Sequence, residues 1–415
     1  MAKRALLIAY HYPPVKGSSG LQRALRFSSY LSDYGWGCDV LTVHPRAYER
    51  TGDDETNDVP EHVEVVRAQA WDAKRHLSLL GRYPQALALP DRWTSWRFDG
   101  VRRGLDLVRR RGHDIIWSTY PIATAHQIGR ALAERTGLPW VADCRDSMSE
   151  PGYPAQKEVF DAVRRLEGQV VREASAVTFT APGALAMYAD RYPDVPASRW
   201  HVIENGYDEG AFAALKDDYA PPERDKPVKL VHAGILYPNE RDPRPFFAAV
   251  AALKAKGVFD GNPARVVLRA TGHDDTYQAM LNDLGITDIV ELAAPVSYRD
   301  ALQEMLRSDG LLIFQAANCN HQIPAKAYEY LRARRPILGL TDRAGDTAQL
   351  MMRNGHTNVA DLSDQTAIES ALHNFMQTVR GEHAPPTPVQ DYSRRGQTRQ
   401  LAELFDIIRG AENTR

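Results

Sequence analysis

Short apolar runs alternate with amphipathic stretches along most of the chain. The apolar runs predict buried strands, because continuous hydrophobic segments of this length are typical of parallel strands covered on both faces. The predicted strands are residues 5–10, 38–44, 62–68, 114–118, 138–144, 177–181, 200–203, 228–232, 264–271, 289–292, 309–315 and one that begins at Ile337. The alternation of such strands with helices predicts a doubly wound α/β fold.

Apolar positions at helical spacing predict the intervening helices. They are residues 21–34, 123–136, a helix near Pro245, 298–307, 342–354, 365–379 and 393–409. Gly272 to Asp275 contain a His-Asp-Asp sequence that resembles metal ligands, but a polar turn at a strand end is the preferred interpretation.

The length of 415 residues exceeds one ordinary hydrophobic core and predicts two domains. Asn205-Gly206 is a turn signal at the end of a strand, and a proline-rich segment follows at 219–227. We therefore expect a first domain at residues 1–208 and a second at 225–390. A proline-rich linker at 384–388 precedes the terminal segment 392–415.

Composition excludes several classes of protein. The net charge of −2 makes nucleic acid an unexpected partner. Three widely separated cysteines indicate a reducing compartment and no structural zinc site. The first apolar run, residues 5–10, is too short for an export signal, and no run is long enough to span a bilayer. These features predict a cytoplasmic protein.

Residues 318–340 carry the clearest candidate chemistry. Pro324 suits the first turn of a helix, because its φ is already helical and its missing N–H needs no partner there. Lys326 and Glu329 then lie on one face of that helix. A helix N-terminus with a nearby lysine suits a phosphate, and a carboxylate suits a sugar hydroxyl. The whole segment indicates a nucleotide diphosphate site, whereas Lys326 and Glu329 alone fit an ordinary amphipathic helix.

Other candidate residues follow predicted strands, where open α/β sheets bind ligands. Glycine at such a strand end allows close approach of a ligand. Gly17 to Gly20 follow the first strand, and Gly234 follows the strand 228–232. Asp143, Arg145 and Asp146 follow the strand 138–144; they indicate ligand contact, with a self-contained ion-pair turn as the alternative.

These segments resemble, in the same order, the motifs of GT-B glycosyltransferases, in particular the retaining enzymes of glycosyltransferase family 4. The donor-binding motif is similar to Pro324, Lys326, Glu329-Tyr330-Leu331 and Pro336-Ile337. The first loop of the family is similar to Pro13-Pro14, Ser19-Gly20 and Arg23, and its hinge to Glu204-Asn205-Gly206-Tyr207-Asp208.

The chain departs from the family pattern at several positions, among them Ser19 in place of a glycine and Glu204 in place of a proline. Thr119 stands where the family has a catalytic-site histidine, and His321 stands where it has a second glutamate. Ile235 follows Gly234 where an arginine is common, so we expect Arg241 or Arg244 to contact the diphosphate. His126, on the next helix, is expected to be structural.

The resemblance implies two Rossmann-like domains facing a central cleft, with the terminal helix crossing back to the first domain. It implies retaining transfer of a hexosyl or N-acetylhexosaminyl group from a nucleoside diphosphate sugar, expected to be a UDP-sugar, to a hydroxyl of a lipid-linked or surface-glycan acceptor, without a metal or other cofactor. The implied donor-binding residues are Gly234, Arg241, Arg244, Ile323, Pro324, Lys326 and Glu329. The implied catalytic residues are Thr119, Asp143, Arg145 and Asp146. The implied cleft-loop residues are Gly17, Ser18, Ser19, Gly20, Arg23 and Asn205.

Two other functions fit the same scaffold. A nucleotide-sugar 2-epimerase needs acid and base groups near the sugar ring, and His321 leaves fewer carboxylates there. A non-catalytic partner that binds a nucleotide-sugar for another transferase is suggested by Thr119 and His321. Acceptor-dependent release of nucleoside diphosphate separates transfer from both.

The stretch 71–96 mixes basic residues with leucines and tryptophans. It predicts a loop and helix that cover the sheet. Peripheral contact with an anionic membrane, at its inner face, is the alternative hypothesis.

Overall fold

The structure is a computed structural model that describes residues 3–16, 20–52, 58–80, 82–217, 226–381 and 390–412. Two compact units make up the chain, one of residues 1–205 with 394–415 and the other of residues 206–393. The sequence analysis places the boundary near residue 208. Most of the first predicted linker, 219–227, and all of the second, 384–388, lie outside the described residues.

The first unit contains a seven-stranded parallel sheet. Its strands are β1 (Lys3–Ala9), β2 (Trp36–Val43), β3 (Val65–Ala68), β4 (Ile115–Thr119), β5 (Trp140–Cys144), β6 (Ala176–Phe179) and β7 (Trp200–Val202). Their spatial order is β3-β2-β1-β4-β5-β6-β7. Leu6 and Ile8 pack into the core on one face of the sheet, and Leu7 and Ala9 into the core on the other. The burial of both faces explains why these strands are continuous apolar runs.

Six α-helices connect these strands in the part of the unit that the structure describes. They are α1 (Leu21–Tyr30), α2 (Ala73–His76), α3 (Trp96–Arg111), α4 (Ala123–Thr136), α5 (Lys157–Glu173) and α6 (Pro182–Arg191). The predicted helix 21–34 is α1 followed by a 3₁₀ turn at Leu31–Tyr34. Gly35 ends that turn with a φ of 78°, a left-handed conformation that favours glycine.

The second unit contains a six-stranded parallel sheet in the order β10-β9-β8-β11-β12-β13. Its strands are β8 (Val228–Ala233), β9 (Ala264–Arg269), β10 (Val290–Ala293), β11 (Gly310–Phe314), β12 (Ile337–Leu340) and β13 (Val359–Ala360). Its helices are α7 (Glu209–Ala213), α8 (Arg244–Ala255), α9 (Asp274–Asp283), α10 (Tyr298–Leu306), α11 (Ala325–Ala333), α12 (Asp346–Arg353) and α13 (Gln365–Arg380).

The last helix, α14 (Arg394–Glu412), belongs to the first unit. Phe405 of α14 lies edge-on to Trp36, with ring centroids 5.3 Å apart, and also contacts Trp117. Leu401 and Leu404 enter the same core. The end of the chain therefore supplies one layer of the first unit's core.

The predicted fold class is confirmed: each unit is a doubly wound parallel α/β domain of Rossmann type. The sequence analysis did not predict α3, α5 or α6. The prediction of a polar turn at residues 272–275 is wrong for its second half, because Asp274 is the first residue of α9. Acidic residues such as Asp274 and Asp275 suit the first turn of a helix. None of the described helices is long and apolar enough to cross a bilayer.

Candidate functional site

The topology of each sheet marks one place where a ligand is expected. The strand order reverses between β1 and β4 in the first unit and between β8 and β11 in the second. At such a switch point the two adjacent connections leave in opposite directions and open a crevice at the carboxyl ends of the strands. The candidate residues of each unit are best judged by their position relative to its crevice.

In the second unit, helix α11 begins after the loop that leaves β11. Pro324 is the residue before the helix, with a φ of −63° and an extended ψ of 136°, so the prediction that it occupies the first helical turn is off by one residue. The buried Tyr330 hydroxyl accepts a hydrogen bond of 3.1 Å from the Ala233 N–H at the end of β8. This bond fixes α11 against the central strand of the sheet.

Lys326, in the first turn of α11, lies directly at this strand end. Its Nζ is 3.3 Å from His232 Nε2, and His232 Nδ1 is 2.8 Å from the Leu312 carbonyl. A carbonyl can only accept, so Nδ1 carries the imidazole proton and Nε2 accepts from the lysine. Burial and then the nearby Arg241 lower the pKa of Lys326 to about 7. Among the described residues, no carboxylate is hydrogen-bonded to the Lys326 Nζ, and its hydrogen-bond partner is the neutral His232 ring.

Gly234 allows this approach. Its φ is 128°, and a Cβ on it would lie 2.5 Å from Lys326 Nζ. A side chain at this position would be strained and would displace the lysine. The structure therefore brings together two of the predicted donor residues, Gly234 and Lys326.

The two candidate arginines differ in their surroundings. Arg241 lies close enough to Lys326 to lower its pKa, and its Nη1 donates to the Ile235 carbonyl at 3.1 Å. Arg244 instead forms an ion pair of 2.6 Å with Asp242, two residues away, on an exposed surface. Of the two, Arg241 is the one positioned beside Lys326.

The loop that leads into α11 is held by buried polar contacts. The Gln315 amide nitrogen donates to the carbonyls of Cys319 at 2.6 Å and Gln322 at 3.0 Å. Thr347 donates to the Gln315 side-chain oxygen at 2.6 Å. Gln315 and Thr347 are both buried, so these hydrogen bonds fix the loop from within the protein.

Glu329 lies one turn further along α11 and is partly buried. Its Oε1 accepts a hydrogen bond of 2.9 Å from the Tyr298 hydroxyl, at the start of α10. Ile323, also predicted as a donor residue, is 4% exposed and packs into the protein just before Pro324. Glu329 therefore presents a carboxylate near the helix start, whereas Ile323 supports the loop.

In the first unit, Asp143 at the end of β5 is fully buried. It accepts four side-chain hydrogen bonds: two from Arg23, at 3.1 and 2.8 Å, one from Thr119 and one from Thr178, each at 2.8 Å. Although burial opposes ionisation, Arg23 and the other donors lower the pKa of Asp143. Its oxygens are engaged inside the protein, so its contacts suit a positioning residue rather than a base that faces a substrate.

Arg23 is likewise internal, at 2% exposure. Besides Asp143, it donates to the carbonyls of Ile203 and Glu204, each at 2.9 Å. Its guanidinium carbon lies 4.8 Å from the centroid of the Phe27 ring. The prediction that Arg23 belongs to a cleft loop therefore needs correction, because the residue lies on α1 and ties that helix to β5 and the end of β7. Asn205 follows those carbonyls as the last residue of this part of the unit.

Arg145 and Asp146 extend beyond β5. Arg145 Nη1 donates to the Gly20 carbonyl at 2.8 Å, and a Cβ on Gly20 would overlap the Arg145 guanidinium. Burial lowers the pKa of Arg145. Asp146 is exposed. The predicted cluster thus separates into a buried Asp143, a half-buried Arg145 beside the start of α1, and an exposed carboxylate.

Thr119 and His126 have internal partners. Thr119 is the last residue of β4 and donates to Asp143. His126 is fully buried, its Nδ1 is 2.7 Å from Ser118 Oγ, and burial lowers its pKa to about 4. These contacts agree with the expectation that His126 is structural. Gly17, Ser18 and Ser19, predicted as a cleft loop, lie outside the described residues.

Sequence reasoning missed several residues that build the two sites. His232 holds Lys326, Tyr298 donates to Glu329, and Thr178 donates to Asp143. His232 had a signal, because a histidine inside the apolar run Val228–Ala233 needs a buried partner. Among the described residues there is no cluster of three or more histidine, cysteine, aspartate or glutamate side chains able to hold a metal ion.

Comparison with known proteins supports the sequence resemblance. Residues 20–206 match the model of the glycosyl transferase 4-like domain. A search of curated protein sequences found no match. Many solved structures share the fold at low sequence identity.

Three solved structures illustrate this similarity. Sucrose-phosphate synthase from Thermosynechococcus elongatus is 13% identical, with 99% of this chain and 98% of that chain covered and a TM-score of 0.63. The Anabaena protein Alr3699/HepE, in complex with UDP and glucose, is 13% identical, with coverages of 98% and 100% and a TM-score of 0.64. An E. coli structure described as trehalose-6-phosphate bound with UDP-2-fluoro glucose is 13% identical, with coverages of 99% and 98% and a TM-score of 0.61. The structural similarity over nearly the whole chain shows the fold.

Proposed function

We propose that the chain transfers a sugar from a nucleoside diphosphate sugar to an acceptor hydroxyl, since it has the GT-B fold and its residues 20–206 match the model of the glycosyl transferase 4-like domain. The donor is a UDP-sugar, with a hexosyl or N-acetylhexosaminyl group, and transfer retains the anomeric configuration. The observation that carries the proposal is the Lys326 amine, held at the start of α11 by His232 in the space that Gly234 leaves open.

The donor diphosphate lies at the start of α11. The first N–H groups of a helix have no partner within it and carry partial positive charge, which favours an anion. Arg241 adds positive charge on the same side, and Lys326 adds more when its amine is protonated. Glu329 is placed one turn deeper, where its carboxylate accepts hydrogen bonds from the ribose hydroxyls. Two of the similar structures contain UDP or a UDP-sugar, which supports the choice of base.

The chemical step needs stabilisation of the departing diphosphate while the sugar develops positive charge. Donors fixed before the reaction stabilise such charge without reorganisation, and loss of one donor typically costs about 10²- to 10³-fold in rate. Here the α11 N–H groups, Lys326 and Arg241 supply that stabilisation. The acceptor binds mainly to the first unit, where the half-buried Arg145 and the exposed Asp146 offer polar contacts. The acceptor is a lipid-linked or surface-glycan precursor, and the protein works at the inner face of the membrane.

An assay of product identity tests this proposal. The protein is incubated with a panel of UDP-, GDP-, ADP- and dTDP-sugars, once in the presence of a lipid extract and once in its absence. We expect release of one nucleoside diphosphate that depends on the extract, together with a glycosylated lipid. NMR of the recovered sugar nucleotide identifies a 2-epimerase, which would change the sugar without releasing the diphosphate. Binding without either reaction would contradict an enzymatic role.

The ionisation of Lys326 predicts a pH dependence of nucleotide binding. The free site has a lysine pKa of about 7, so the ammonium is progressively lost as the pH rises above that value. The terminal phosphate of UDP, with a pKa near 6, is already ionised there. The UDP dissociation constant should therefore rise by about 3- to 10-fold between pH 7.5 and 8.5. Calorimetric titration measures it, and a Lys326→Met variant should show a flat profile over the same range.

Because the proposed site neutralises the diphosphate with protein cations, turnover should not depend on a divalent metal. Excess EDTA is expected to leave the rate of diphosphate release within about twofold of the untreated rate. Added Mg²⁺ or Mn²⁺ should not raise it further. A rate that collapses in EDTA and returns with one metal would assign part of the leaving-group stabilisation to that metal.

A further inference from the structure

We propose that the first unit has a surface that docks on an anionic lipid bilayer. This surface, the 71–98 surface, is formed by the exposed side chains of Trp71, Leu77, Leu79, Leu80, Leu87 and Phe98 together with the cations among them. The inference does not depend on the chemistry proposed above, because a protein without transferase activity could use the same surface.

Exposed apolar side chains are concentrated in this part of the chain. Of the thirteen large hydrophobic side chains that are exposed in the described part of the chain, six lie between positions 71 and 98. Leu80 is 96% exposed, Leu79 is 79% exposed and Phe98 is 72% exposed. Single exposed leucines are ordinary, but a group of them marks a binding surface.

Backbone and side-chain contacts hold several parts of this stretch in place. Ser95 Oγ accepts from the Trp71 N–H at 2.8 Å and donates to the Trp71 carbonyl at 3.0 Å. Trp71 is therefore adjacent to Ser95, which directly precedes α3 and lies three residues before Phe98. The Ala73 N–H donates to the Arg92 carbonyl at 2.8 Å, which ties α2 to the same place. Leu79 and Arg82 exchange two backbone hydrogen bonds, of 2.8 and 3.0 Å, which fix Leu79 relative to Arg82.

The charge of this stretch complements an anionic surface. Lys74, Arg75, Arg82 and Arg97 are all exposed, and none of them has a recorded ion pair with a carboxylate of the described residues. Arg75 donates to the Tyr48 carbonyl, and Arg97 lies over the Phe98 ring. Cations beside apolar side chains are the combination that binds the interface of an anionic bilayer.

The carboxylates of the same stretch are turned inward. Asp72 is fully buried and caps α2, accepting from the Lys74 N–H at 2.9 Å. Asp91 accepts from the Thr124 N–H at 2.7 Å, at the start of α4. Glu49 is nearby and exposed, but it is engaged by Arg92. The exposed charge of residues 71–98 is therefore positive, which favours a lipid surface over an apolar protein partner.

The position of the surface relates it to the candidate site of the first unit. Trp93 and Trp96 pack against Tyr10, which directly follows β1, with ring centroids 4.7 and 6.3 Å away. Asp91 contacts α4 just after β4. The 71–98 surface thus lies beside the carboxyl ends of β1 and β4, where an acceptor with a lipid anchor would approach from the bilayer.

Co-sedimentation with vesicles tests the proposal. The full chain is mixed with two kinds of vesicle, at low and at high salt. One kind is phosphatidylcholine alone, and in the other about one lipid in three is phosphatidylglycerol, which gives a strongly negative surface. We expect pelleting with the anionic vesicles at low salt, and at least a tenfold weaker partition in about 1 M salt, where the Debye length falls to about 3 Å.

Two double variants test the surface itself. Lys74→Glu with Arg97→Glu should lower the partition at least about 20-fold, since each cation near an anionic surface contributes roughly fivefold. Leu79→Ser with Leu80→Ser should lower it about tenfold or more. The matched controls are Arg343→Glu with Arg353→Glu for charge, and Leu284→Ser with Ile407→Ser for exposed apolar side chains. Both control pairs should bind like the wild type.

All the altered side chains are exposed, so each variant is expected to keep its melting temperature, which is checked by circular dichroism. Selective loss in the surface variants would support the proposal. Absence of pelleting at low salt, equal binding to phosphatidylcholine vesicles, or equal losses in the control pairs would each overturn it. None of these results would decide whether the chain transfers a sugar.

Discussion

Replacing Lys326 by methionine should weaken binding of UDP about 10- to 100-fold at pH 6.5–7. Methionine keeps most of the side-chain volume next to Gly234 but removes the charge that faces the diphosphate. Hydrogen bonds to charged groups contribute about 1.5–3 kcal/mol, which corresponds to this loss of affinity. The stability of the folded protein should not fall, because burial disfavours the charge of Lys326 and lowers its pKa to about 7. Isothermal titration measures the dissociation constant.

The control for Lys326→Met is Lys254→Met. Lys254 lies on the same unit but bonds to Asp288 and the Gly285 carbonyl on the surface. The Lys254→Met variant should bind UDP with an affinity within about twofold of the wild type. Equal affinities of wild type and Lys326→Met would show that the diphosphate binds elsewhere.

Replacing Arg23 by methionine should destabilise the first unit by about 3–5 kcal/mol. Arg23 and Asp143 form a buried ion pair of 2.8 Å, and removal of one partner leaves a carboxylate inside the protein without its cation. The carbonyls of Ile203 and Glu204 lose a donor at the same time. Asp143→Asn in the Arg23→Met background should recover part of the loss, because it removes the uncompensated charge.

The chain offers a selective signal for this measurement. All seven tryptophans lie at or before position 200, so tryptophan emission follows unfolding of the first unit. Urea denaturation then gives the free energy of unfolding. Arg130→Met is the control, since its ion pair with Glu173 is partly exposed and should contribute at most about 1 kcal/mol. A loss below 1 kcal/mol for Arg23→Met would contradict the structural role of this pair.

Sequence patterns predicted the parts of the fold that depend on local chemistry. Buried parallel strands such as β1 and β8 are continuous apolar runs, and Gly35 and Gly137 end helices through left-handed conformations. Helix α5 was missed although its apolar residues recur at helical spacing. The acidic start of α9 was read as a turn because the same residues also suit a strand end.

The site could be predicted only where its residues are close in sequence. Pro324, Lys326 and Glu329 share one short segment, so their common helix was predictable. The pairing of Lys326 with His232 joins residues 94 positions apart, and that of Arg23 with Asp143 joins residues 120 apart. Such contacts depend on the order of strands in the sheet, which no local pattern specifies. The same limit explains why Arg241 and Arg244 could not be distinguished from sequence.

The most direct test of the proposed function is a crystal structure of the protein with bound UDP. The account predicts the diphosphate at the start of α11, within hydrogen-bond distance of Lys326 Nζ and beside Gly234, with the ribose hydroxyls on the Glu329 carboxylate. UDP bound elsewhere, or bound here with Lys326 still turned to His232 and no contact to the phosphates, would contradict it.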